Sequence, residues 1–199
     1  MGASPGMSAL SFLLNTVIEL YVMVVALRFL MQAMRVDYYN PIAQFIVKAT
    51  NPILVPLRRV IPGWGRQDIA ALLLCWLLLV GKLFLFMALG LGVVNIGGHG
   101  IVVGNLGVVT VIALAAIDLL ALFFNIFFFA IIIMAVLSWI SPGGYNPVGA
   151  LVSGISEPLI RPVRRYIPPL GGLDLSPLVV LIGLQVLKIL VIGTLMQML

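Results

Sequence analysis

Residues 39–62, YNPIAQFIVKATNPILVPLRRVIP, return at 145–168 as YNPVGALVSGISEPLIRPVRRYIP, displaced by 106 positions with nine identities in twenty-four. Gly65 and Gly171, Asp68 and Asp174, and Lys82 and Lys188 keep that offset, so the copying runs on into the apolar segment behind the loop. A chain built this way must find one arrangement that suits both copies, because each carries the same apolar pattern and the same turn residues.

The segments around each copy decide the solvent. With 63% apolar residues, 9% charged and a mean hydropathy of +1.25, the chain has too little polar surface to clothe a water-soluble domain of 199 residues. Four runs are long enough to cross a hydrocarbon layer of about 30 Å: Ser8 to Met34, Ile69 to Leu91, Val108 to Ile140 and Leu178 to Leu199. Helix is the conformation that satisfies the backbone of such runs internally, and the ten-residue alternation of an outer-membrane barrel is missing. The predicted fold is therefore an all-α membrane protein of four transmembrane helices in two parallel tandem repeats. Each repeat reads helix, interfacial amphipathic helix with a Pro-Arg loop, helix. The organisation expected is a flexible lead-in over 1–7, repeat 1 over 8–91, a Gly-rich connection over 92–107 at or just outside the bilayer, and repeat 2 over 108–199. A cleaved signal peptide is not expected, since no basic residue precedes Ser8 and the apolar run outlasts a signal's core.

Charge sets the orientation. Arg35, Lys48, Arg58, Arg59 and Arg66 lie between spans one and two, and Arg161, Arg164 and Arg165 between spans three and four, while the other flanks carry no Lys or Arg. The positive-inside bias places both basic loops in the cytoplasm, while the N-terminus, the central Gly-rich connection and the C-terminus face outward. The 33 residues from Val108 to Ile140 must then cross once, as a long or tilted helix or with an interfacial segment leading in.

Within each loop the apolar residues Ile42, Phe45, Ile46 and Ala49, and Val148, Leu151, Val152 and Ile155, follow helical spacing. Pro41 and Pro147 at the first helical position, behind Asn40 and Asn146 as N-caps, start a helix that lies flat on the bilayer. Asn51-Pro52 and Glu157-Pro158 are expected to stop it, with Pro56, Pro62, Pro162 and Pro168 keeping the chain extended behind. Asp68 and Ser176 are the expected caps of spans two and four. Arg58, Arg59, Arg161, Arg164 and Arg165 then stand on a stiff platform. Anchoring among anionic lipid headgroups accounts for them, and so does docking of carboxylates or phosphates of an unidentified membrane or cytoplasmic protein partner. Nucleic acid is not an expected partner, because the net charge of +5 follows from orientation alone and the clusters lack interleaved aromatics.

Five charges fall inside the spans, each costing about 3 kcal/mol at mid-bilayer unless paired or wetted: Glu19, Arg28, Lys82, Asp118 and Lys188. Counted from the basic ends, Glu19 and Lys82 share a depth of about 21 Å. The pairings predicted are Glu19 with Lys82, and Lys188 with Asn125 and Asp118. Arg28, with Gln32 and Arg35 one and two turns on, is expected to snorkel. These contacts fasten helices, or they line an ion path that needs a homo-oligomer to form a pore. One His (His99, in the Gly-rich connection) and one Cys (Cys75, in span two) make neither a metal cage nor a disulfide, so no cofactor, metal or enzymatic activity is expected. Trp64 and Trp139 suit an aromatic belt.

Tyr-Asn-Pro, Asn/Glu-Pro and Pro-x-Arg-Arg-x-Ile-Pro, twice in a four-span chain, resemble the bacterial YggT family of integral membrane proteins, and the opening SALSFLLNTVIELYVMVVALRFLMQ resembles its proteobacterial members. Val55 against Arg161 is where the copies diverge. The resemblance implies a multi-pass protein of the bacterial inner membrane with periplasmic termini, a non-enzymatic assembly or scaffold factor linked to osmotic stress tolerance, potassium uptake and cell-division neighbourhoods. Plastid relatives are linked to cytochrome b maturation and nucleoid organisation. The alternative it leaves open is a small potassium-related transport or channel component acting as an oligomer.

Overall fold

The computed structural model describes residues 4–61, 63, 67–140, 146–166 and 174–199, apart from the side chain of residue 139. The expectations for Pro62, Trp64, Trp139 and Pro168 fall outside what is described. Helix α1 (Pro5–Ala33) is followed by α2 (Pro41–Val60), α3 (Ile69–Ala88), strands β1 (Val93–Ile96) and β2 (His99–Val102), then α4 (Val108–Ile140), α5 (Pro147–Arg164) and α6 (Ser176–Gln197). Helices α1, α3, α4 and α6 are each long and apolar enough to cross a membrane. Helix α1 packs along α3 and α2, α4 along α6 and α5, and α3 against α4 closes the bundle.

Of the lead-in expected over 1–7, residues 5–7 belong to helix α1. Ser4 accepts the Met7 amide at 3.4 Å and Pro5 occupies the first turn, so α1 starts where its capping chemistry allows rather than where its hydropathy begins. Its far end closes by a Schellman motif, with the Arg35 amide bonding to Gln32 O and the Val36 amide to Met31 O; Arg35 takes φ 57° in the left-handed region.

The two elbow helices depart from expectation. Neither stops at Asn51-Pro52 or Glu157-Pro158: α2 runs through Pro52 and Pro56, and α5 through Pro158 and Pro162. The prolines sit four residues apart, so both rings share one stripe, and all four are exposed. The carbonyls they leave without an amide, those of Lys48 and Pro52 in α2, belong to exposed residues and can be solvated, which removes much of the usual penalty. The opposite stripe of α2, Ala43, Ile46, Thr50 and Leu54, is buried; Phe45, expected there, is 66% exposed. In α5 the buried stripe is Leu151, Val152, Ile155, Ser156 and Ile160. The start signals act as read, Asn40 Oδ1 accepting Ile42 N and Asn146 Oδ1 accepting Val148 N, each at 2.9 Å.

Residues expected as a plain connection fold into an antiparallel hairpin, Val93 opposite Val102 and Ile96 opposite His99. Gly97 and Gly98 hold φ 61° and 100° at its turn, the positive pair that a tight two-residue hairpin favours. Val94, Ile96 and Val103 are buried, and Gly97 lies so close to Ile192 of α6 and Ala121 of α4 that a Cβ there would stand 2.7 Å from Ile192 Cγ2. His99 is exposed on β2.

Candidate functional site

Polar chemistry collects at the elbows and beneath the hairpin. At the first elbow, Asp68 caps α3 by accepting Ala71 N and binds both Nε and Nη2 of Arg58. The second elbow repeats the clamp 106 residues on, with Arg164 Nε 2.9 Å from Asp174 Oδ2. Each Arg pair therefore splits. Arg58 and Arg164 tie the end of the elbow helix to the start of the following span, Arg164 while itself exposed, whereas Arg59, Arg161 and Arg165 are exposed without an ion pair among the described residues. Sequence reading treated the pairs as uniform surface and missed the clamp, although the shared ten-residue separation from Asp68 and Asp174 was visible.

Ser176 is not the cap of the last span. It is the first helical residue, and Asp174 Oδ1 accepts its amide at 2.9 Å, because Pro177 moves the start of α6 one residue earlier. Burial raises the Asp174 pKa, but hydrogen bonding to Ser176 and the Arg164 guanidinium outweighs that, and the net position is below the usual carboxylate range.

The elbows differ at one buried corner. Arg28 does not snorkel: only 6% exposed, it donates Nη1 to Thr50 Oγ1 and Asn51 Oδ1, each at 3.2 Å, because α2 folds back over α1 and encloses it. In the second half the equivalent position is Met134, the hydroxyl equivalent to Thr50 is Ser156, whose buried Oγ has no partner among the described residues, and Asn51 is replaced by Glu157. Glu157 instead accepts from Arg164 at 3.0 Å. Asn40 joins the halves, its Nδ2 donating to Pro147 O at 2.6 Å.

Inside the bundle Lys82, its side chain wholly buried, stands 3.1 Å from Glu19 Oε1 and 2.7 Å from Asp118 Oδ2. Lys188 donates to Asn125 at 2.8 Å. The structure thus gives Asp118 to Lys82 rather than Lys188: α4 packs on α3, and Asp118 lies two turns from Asn125, on the side that meets α3. Above this cluster is a cavity of about 200 Å³ lined by Asn15, Glu19, Asp118, Asn125 and the hairpin residues Asn95, Gly97 and Gly98. Asn15 Oδ1 is buried there without a hydrogen-bond partner among the described residues. No three His, Cys, Asp or Glu side chains among the described residues converge as a metal site.

Four apolar helices joined by polar elbows and a hairpin define a multi-pass membrane protein. A family model described as CCB3/YggT matches residues 7–89 and again 113–195, two segments starting 106 positions apart. The chain is 44% identical over 192 residues to the uncharacterized protein PA0392 of Pseudomonas aeruginosa, covering 96% of this chain and 92% of that one. It is 43% identical over 180 residues to a protein encoded in the proC 3' region of Vibrio alginolyticus, covering 90% and 91%. It is 38% identical over 184 residues to the uncharacterized protein YggT of Escherichia coli K12, covering 92% and 88%. The chain belongs to the CCB3/YggT family. No solved structure matches it.

Proposed function

We propose that this protein is a non-enzymatic assembly factor of the bacterial inner membrane, built as two parallel copies of one hairpin that present basic elbows to the cytoplasmic leaflet and to a membrane or cytoplasmic partner. The observation that carries the reading is the split of each arginine pair. One guanidinium braces its elbow against the next span, and Arg59, and Arg165 with Arg161, are exposed on that support without an ion pair among the described residues. An arginine displayed this way loses less backbone freedom on binding than one on a loose loop. Crosslinking in native membranes tests it: Arg59→Glu with Arg165→Glu abolishes recovery of the partner captured by the unaltered chain, while the protein still accumulates. Undiminished recovery from the double variant overturns the reading. The family link to osmotic stress tolerance belongs to the same proposal.

The cavity over Glu19, Lys82 and Asp118 favours a second reading, a small ion-transport component acting as an oligomer, because carboxylates beside a polar cavity mark ion and proton paths in membranes. Pure protein in liposomes would then carry a cation flux that Glu19→Gln removes; absence of flux sinks this reading.

A further inference from the structure

We propose that the first elbow, and not the second, holds the phosphodiester of one anionic phospholipid in a groove floored by Asn51. The groove, about 470 Å³, lies along α2 and is lined by Tyr38, Gln44, Val47, Lys48, Asn51 and Pro52, with no carboxylate among them. A guanidinium has donors and no acceptor, so the bond from Arg28 fixes the Asn51 carboxamide with Oδ1 toward Arg28 and leaves Nδ2 as the donor available elsewhere. With the Lys48 ammonium and the Tyr38 hydroxyl, Asn51 Nδ2 makes a set of donors suited to phosphate oxygens.

Charge counting agrees. Arg28 and Arg58 have one carboxylate between them, Asp68, and it is bound to Arg58, so Arg28 lacks a paired carboxylate among the described residues and Lys48 in the groove adds a second unpaired positive charge. A phosphodiester supplies one negative charge. In the second half Met134 replaces Arg28, Glu157 replaces Asn51, Gly154 replaces Lys48 and Ala150 replaces Gln44, while Arg161 stands where the first half has Val55; Arg161 and Arg164 balance Glu157 and Asp174, and the corner is neutral. The second elbow is a built-in control that lacks the donors. A lipid, rather than free phosphate, is the occupant because α2, which follows a helix apolar enough to cross a membrane, bears exposed Phe45 among the groove residues and exposed Ile53 just beyond Pro52.

This inference deepens the proposed function, sharing with it only the placement of the elbows at a leaflet. Its test uses Lys48 and Asn51, which the partner-recovery test leaves intact, so either idea can fail without the other. The full chain in detergent is titrated with phosphatidylglycerol, phosphatidylcholine or inorganic phosphate, and bound molecules are counted by native mass spectrometry. One phosphatidylglycerol per chain is expected, held at least tenfold more tightly than phosphatidylcholine and not displaced by millimolar phosphate. Lys48→Glu weakens it at least tenfold. Asn51→Asp does the same while keeping or raising the melting temperature, because the new carboxylate pairs with Arg28 as Glu157 pairs with Arg164; a merely structural role for Asn51 would not separate the two readouts. Equal retention of both lipids, no loss in Asn51→Asp, or displacement by phosphate alone each overturns the proposal.

Discussion

Lys82 is the residue on which most of the intramembrane electrostatics turns. Its ammonium is fully buried between two carboxylates of unequal standing: Asp118 is nearer and its side chain only 13% exposed, against 43% for Glu19. Removing one partner of a buried ionic group costs about 3–5 kcal/mol because the remaining charge is left without compensation. Lys82→Met is therefore expected to lose about that much in reversible unfolding in bicelles. Adding Asp118→Asn recovers more of the loss than adding Glu19→Gln; the reverse ranking in a double-mutant cycle contradicts the geometry. Asp174 gives a pH signature. Its folded pKa is lowered, so its contribution is complete above the unfolded value of about 3.9 and disappears as pH falls through the lower folded value. The melting-temperature gap between the natural chain and Asp174→Asn should hold steady from pH 7 to 5 and close in more acid solution.

Among the elements, the hairpin is the one whose fit leaves least room. Alanine at Gly97 would carry a left-handed backbone costing about 1–2 kcal/mol and press on Ile192, where overpacking adds about 1–3 kcal/mol. Gly97→Ala should lower stability by the sum, and Ile192→Ala in the same chain should relieve only the steric part, measured as a coupling energy in a thermodynamic cycle. The elbow helices carry a different lesson. Proline at Asn51-Pro52 reads as a stop in isolation, yet Pro52 and Pro56 four residues apart place both defects on the exposed stripe while Ala43, Ile46, Thr50 and Leu54 bury the other. Packing of that buried stripe against α1 outweighs the local preference, which a residue-by-residue reading of proline does not register.

At the scale of the whole molecule the halves are joined by α3 against α4, by the Asn40 contact to Pro147, and by Gly154, where a Cβ would meet Val36 Cγ2 at 2.9 Å. The orientation proposed for both halves makes a plain prediction. In a Cys75→Ala background, cysteine at Arg59 or Arg165 should resist a membrane-impermeant thiol reagent added to intact cells, and cysteine at Asn105 should react. Labelling of either elbow from outside reverses the proposed orientation of that half.

Sequence by itself determined the solvent, the four spans, the starts of the elbow helices at their Asn caps, and the depth match of Glu19 with Lys82. These follow from hydropathy, periodicity and rise per residue, all properties of one segment at a time. Tertiary structure alone decided that Asp118 serves Lys82, that Arg28 is enclosed by Thr50 and Asn51, that one arginine of each pair clamps an aspartate, and that Gly97 seats against α6. Each of those depends on how one helix is rotated against another, and that rotation is set by the interlocking of side chains across the whole bundle.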